Sequence, residues 1–158
     1  MKTILTIVTL AIATLGLANR SHAAANNPVL DDYIAVAGAL ANDDLAAAKK
    51  AATALAETAK AEKQTALAEH AGMIASTDSL DAAREHFKMA SEEAEKLATG
   101  KDGYYVMTCP MAKADWVQKT TKVQNPYLGQ EMPDCGSLKT GKASSTPSTM
   151  SMGGGCCG

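Results

Sequence analysis

Sulfur side chains recur at every second residue in Met107-Thr108-Cys109-Pro110-Met111. Pro110 disfavours a helical Cys109 and pushes it toward an extended conformation. Alternate side chains of an extended chain leave on one face, so Met107, Cys109 and Met111 are expected to point at one spot. Thioethers and thiolates select soft ions, and copper(I) accepts two or three of them without a nitrogen or carboxylate ligand. Met132 and Cys135, on the far arm of the following loop, would complete the set. Zinc normally wants more thiolate or imidazole than this segment offers.

A second use of the same residues stands beside the first. Cys109 and Cys135 can form a disulfide, with the methionines filling gaps in an aromatic-lined core. Closing a loop of about 27 residues would stabilise the fold by roughly 3.5 kcal/mol on the chain-entropy model. The two readings predict opposite oxidation states for the same pair of thiols.

Other residues carry weaker signals. The C-terminal stretch holds Met150, Met152, Cys156 and Cys157 on a Ser, Thr and Gly-rich chain. Adjacent cysteines there can clamp a thiophilic ion without a folded scaffold or oxidise to each other. His70 and Met73, and again His86 and Met89, stand three apart, so each pair shares a helix face. Such residues are more often interfacial or solvated, and Trp116 and the tyrosines more often pack a core than cover an ion. The pairs Asp31-Asp32 and Asp43-Asp44 fall at helix starts, where carboxylates stabilise exposed N–H groups. No Cys-x-x-Cys at a helix start, no phosphate-cradling glycine loop and no Ser-His-Asp set is present, so no enzymatic role is expected.

The elements that must position these groups follow from the rest of the chain. Lys2, the apolar run Ile4 to Ala18 and the small-residue end Ser21-His22-Ala23 read as a secretory signal peptide, residues 1–23. Export places the cysteines where disulfides persist, and after cleavage no stretch reaches the roughly 20 apolar residues of a membrane span. The chain carries a formal net charge of −2, and cleavage removes Lys2 and Arg20, which leaves no basic face for nucleic acid. From Pro28 to about Ala98, apolar residues recur at helical spacing without an internal proline. A first helix is expected through Leu40, a second from a cap at Asn42 or Asp43 through Leu55, and a third through Ile74. Thr77-Asp78-Ser79 should stop the third and cap a fourth that ends at Gly100. The expected fold is all-α: an antiparallel four-helix bundle over residues 24–100, with an irregular Cys, Met and aromatic cap over 101–140 in the same domain. A disordered tail is expected over 141–158.

Cys109-Pro110-Met111-Ala112, Trp116, Asn125-Pro126-Tyr127-Leu128-Gly129 and Met132-Pro133-Asp134-Cys135-Gly136 together resemble an exported bacterial domain family of unknown function. That family occurs alone or joined to periplasmic adaptor subunits of copper and silver efflux pumps. The likeness extends over Asn42-Asp43-Asp44, Ala46-Ala47-Ala48-Lys49, Arg84 and Phe87. The Cys-Pro-Met segment is also similar to heavy-metal-binding segments of metal-exporting ATPases, although Ala112 stands where those place a histidine, and Leu128 stands where an aromatic is common in the exported family. The resemblance implies a periplasmic protein that handles copper(I) or silver(I) beside an efflux system, with an adaptor or other envelope protein as partner. The alternative is a disulfide-stapled module of such a complex that binds no metal.

Overall fold

A computed structural model describes residues 26–139 of the 158-residue chain. The expected signal peptide and the tail cluster Met150, Met152, Cys156 and Cys157 lie outside the described residues. Four helices come first: α1 (Pro28–Ala41), α2 (Leu45–Ala61), α3 (Thr65–Ser76) and α4 (Leu80–Ala98). Three strands follow: β1 (Tyr105–Cys109), β2 (Ala114–Gln118) and β3 (Ser137–Leu138).

The helix boundaries have local causes. Asn27 caps α1 by accepting the Leu30 N–H at 3.1 Å, and Pro28 takes the first turn, where no N–H is needed. Asn42 does not start α2, because its N–H still closes α1 on Gly38 and Ala39. Asp43 then reverses the chain at φ 58°. Asp44 is the first residue back in extended geometry, so it is Asp44 that caps α2, accepting the Ala47 N–H at 2.8 Å. The expected cap at Asn42 or Asp43 is thus displaced by the residue that the reversal consumes. Ser79 caps α4 as the sequence indicates, and Gly100 follows that helix at φ 75°.

Successive helices pack on one another, and α4 also packs on α1, α2, β1 and β2. Alanine dominates the contacts: α2 buries Ala48, Ala52, Leu55 and Ala59, and α4 buries Ala83, Ala90 and Ala94 around Phe87. Backbones therefore approach closely, and Leu30, Tyr33, Leu40, Leu67 and Ile74 supply most of the remaining buried bulk.

The described residues are mostly helical, in rough agreement with the all-α expectation, but the cap is a small sheet rather than an irregular segment. Strand order is β2-β1-β3, antiparallel throughout, with Met107 opposite Trp116 and Cys109 opposite Ala114. β-formers fill it (Tyr105, Val106, Trp116, Val117), yet five residues are too few for alternation to stand out from one sequence. Lys113, at φ 49°, supplies the left-handed residue that the β1–β2 turn needs.

Rings join the two parts. Tyr33 stacks on Phe87 at 4.9 Å between centroids, Phe87 meets Tyr127 at 5.8 Å, and Tyr127 meets the edge of Trp116 at 6.1 Å. Polar ties run along the same line: Tyr33 Oη lies 2.6 Å from Ser91 Oγ, and Tyr127 Oη lies 2.9 Å from Ser91 Oγ and 2.6 Å from the Asp115 carbonyl. Burial pushes both tyrosine hydroxyls well above their ordinary pKa, so both stay neutral donors.

Candidate functional site

Cys109 ends β1, fully buried, and Cys135 closes the loop that returns to β3, with 9 % exposure. Their Sγ atoms lie 3.1 Å apart, in hydrogen-bond contact. That separation falls between the roughly 2.05 Å of a disulfide and the about 3.8 Å of two thiolates sharing a tetrahedral ion at about 2.3 Å each. Joining to each other or binding one ion therefore each needs movement of about 1 Å or less.

The surroundings favour thiolate at Cys109. Burial pushes its thiol up. Hydrogen bonds from the Ala112 N–H, the Cys135 thiol, the Asn125 amide and the Met111 N–H outweigh that effect, so the net direction is down. The Ala112 contact is 3.4 Å and exists because the chain turns directly after Pro110, aiming successive N–H groups back at the sulfur. A sulfur in such a turn is prepared for negative charge and hence for ligation.

The sequence-derived ligand set is only partly brought together. Met107 is buried on the same face of β1 as Cys109. Met111 does not share that face: the strand stops at Cys109, the turn carries Met111 outward, and it is 61 % exposed. Met132 is half-buried against the core, and its carbonyl accepts the Cys135 N–H at 3.2 Å. His70 and His86 are half-buried on α3 and α4, away from the cap. Trp116 is fully buried, and its N–H is satisfied by Gln118 at 2.9 Å, so it packs the cap. Among the described residues no group of three or more His, Cys, Asp and Glu side chains converges.

Asn125 is the residue that reading for ligands misses. Fully buried, it donates to the Cys135 carbonyl at 2.6 Å and accepts the Tyr127 and Leu128 N–H groups at 2.8 and 3.0 Å. Its own N–H reaches the Pro133 carbonyl at 2.9 Å. One side chain thus fixes both arms of the loop that presents Cys135. The available signal was Asn-Pro, a pair that favours turn initiation. Gly136 is needed for a different reason: at φ 143°, a Cβ there would stand 2.7 Å from Trp116 and 3.0 Å from the Thr108 carbonyl.

A polar latch ties this loop to the helices. Arg84 donates to the carbonyls of Pro126 (3.0 Å) and Leu40 (3.1 Å) and pairs with Asp43. Asp43 also accepts the Gln130 N–H at 3.1 Å, and Gln130 Nε2 reaches the Ala41 carbonyl at 2.7 Å. The Gln130 and Arg84 bonds hold the Asp43 carboxyl below its usual range. Gly129 passes so close that a Cβ would overlap the Asp43 side chain. Asp43 and Asp31 therefore serve as tertiary ties more than as helix-start charges. Asp31 accepts from Tyr104 Oη at 3.0 Å and pairs with Lys119 at 2.6 Å.

No curated protein and no solved structure matches this chain. Residues 29–103, which span the helical part from the start of α1 and stop short of β1, are similar to the family described as Protein of unknown function (DUF3347), and the thiol-bearing cap lies beyond the match.

Proposed function

We propose that this chain is an exported buffer or chaperone for a soft monovalent ion, copper(I) or silver(I), acting in the periplasm beside an efflux system. The observation that carries the reading is the closeness of two buried sulfurs, 3.1 Å apart, one of them in a turn that favours its thiolate. Cys109 and Cys135 are the two anchors, with Met107 or Met132 as a third donor of the soft type such ions accept. Met111, exposed beside the pair, is the thioether an arriving ion meets first, and transfer to an efflux adaptor or other envelope protein follows by ligand exchange. The helices, read as an antiparallel bundle, act as scaffold. Met150, Met152, Cys156 and Cys157 form a secondary capture site, and the protein works by binding rather than catalysis. Export and the efflux partner rest on the N-terminal segment and on the resemblance of the Cys-Pro-Met cap.

The test is an anaerobic copper(I) titration against a competing chelator on the exported form, on Cys109→Ser and on a chain truncated before Met150. Cys109→Ser should weaken binding by about a hundredfold, near 2.7 kcal/mol. Affinity that survives this change and disappears with the tail would move the site to the terminus.

The same closeness supports a second reading, a module stapled by a Cys109–Cys135 disulfide that docks in an envelope complex and holds no metal. Thiol counting on native protein kept from air separates the two: reactive thiols at 109 and 135 favour the ion site, and none favours the staple.

A further inference from the structure

Away from the cap, a second soft-ion site is indicated where α3 meets α4. The two helices are joined by Thr77-Asp78-Ser79 and pack on each other, so they run antiparallel. Counted outward from Asp78, His70 and His86 each stand eight residues away and hence lie at the same height on the pair.

Their flanks also agree. On α4, Arg84 and Ser91 reach toward α1, through the Leu40 carbonyl and Tyr33 Oη. His86 is roughly 140–160° around the helix from both, away from α1 and from the cap loop that Arg84 and Ser91 also touch. His70 directly precedes buried Ala71 just as His86 directly precedes buried Phe87. Antiparallel helices sharing one core are related by a local twofold, so equal offsets from the buried stripe give the two histidines equivalent places on the pair.

Two further observations point to a ligand there. Among the described residues, His70 Nδ1 is the only buried side-chain nitrogen or oxygen with no hydrogen-bond partner, although such groups are ordinarily satisfied. Met73 and Met89, each one turn beyond its histidine, are each 45 % exposed, and three of the four large exposed hydrophobics among the described residues are methionines. Because the helices run in opposite directions, the two thioethers bracket the histidine pair from either end.

We propose that His70 and His86, with Met73 or Met89 as a third donor, form a separate site for a soft monovalent ion. Two imidazoles and a thioether offer no anionic oxygen, which selects copper(I) or silver(I) over magnesium, calcium or manganese. Zinc would lack two of its customary ligands. The site shares no residue with the cap, so either can fail alone.

The test uses silver(I), which does not cycle under these conditions, added to the exported form with Cys109, Cys135, Cys156 and Cys157 replaced by Ala. Histidine ring nitrogens and methionine methyls are followed by NMR. The expected result is one bound equivalent that moves the ring signals of His70 and His86 and the methyl of Met73 or Met89. His86→Gln should weaken binding by at least about tenfold, and Met73→Leu with Met89→Leu should weaken it severalfold while leaving the fold unchanged. In the unmodified chain the same ring signals should move once the thiols are filled, which covers the case of a cysteine-free chain that does not fold. Histidine rings that stay unmoved in the chain that folds, or undiminished binding in His86→Gln, would overturn the proposal. Loss of the thiol equivalents with the ring signals still moving would count against the cap reading alone.

Discussion

The helical part and the sheet cap are stabilised by different means. The helices close on many small contacts between alanines, spread over four long segments, so no single alanine methyl decides the packing. The cap has two five-residue strands and a two-residue one, too little sheet to stand alone. It is held by a few large or polar residues that each touch several elements: Phe87 and Tyr127 in the ring stack, Arg84 and Asp43 in the latch, and Asn125 within the loop. The paired sulfurs sit on the part whose geometry depends on few contacts, while the part with many contacts supplies the platform.

That contrast can be broken by experiment, and the largest effect should come from the platform. Phe87→Ala removes a fully buried ring between Tyr33 and Tyr127 and should cost about 3–5 kcal/mol. Urea unfolding followed by helix signal and by thiol exposure should lose both together. Thiols exposed well before the helices melt would mean that the cap unfolds independently. Arg84→Met should cost about 2 kcal/mol, since it deletes charge-assisted bonds to two carbonyls and Asp43. The helices should persist, with Cys135 reacting faster with a thiol reagent. Equal protection of Cys135 in this variant would show that the latch does not govern the loop.

Smaller changes sharpen the picture within the cap. Gly136→Ala should cost roughly 1–2 kcal/mol, because the new methyl meets Trp116 on a backbone that side chains rarely adopt. Tryptophan fluorescence should report it directly, and an unchanged spectrum and midpoint would contradict the close approach. The last effect is electrostatic. Lys139 bridges Glu95 and Asp115 at 2.7 Å each and fixes the end of the β3 strap. Partial burial pushes the Asp115 carboxyl up, but the Lys139 and Thr108 hydrogen bonds outweigh it and the net direction is down. A lowered carboxyl contributes stability that is complete above the ordinary carboxylate range and lost as pH falls through the lowered value. Acidification through that window should release the strap for at most about 1 kcal/mol. Amide exchange at Lys139, which bonds the Val106 carbonyl at 2.8 Å, should rise, and Asp115→Asn should remove the pH dependence.

The sequence by itself determined the helical part. A period of 3.6 sustained over some seventy residues, Ser79 at a cap position and Gly100 after the last turn are local signals whose physics lies within one or two turns. It also singled out Cys109 and Cys135, because thiols are few and their chemistry does not depend on context. Only the tertiary structure decided that the cap is a sheet, that Met111 faces outward, and that Asn125, Arg84 and Asp43 hold the loop presenting Cys135. The physical reason is range. Strand pairing, the 3.1 Å approach of the two sulfurs and the latch join groups between about ten and ninety residues apart, and no local pattern specifies which distant partner a short strand or a lone polar side chain will find.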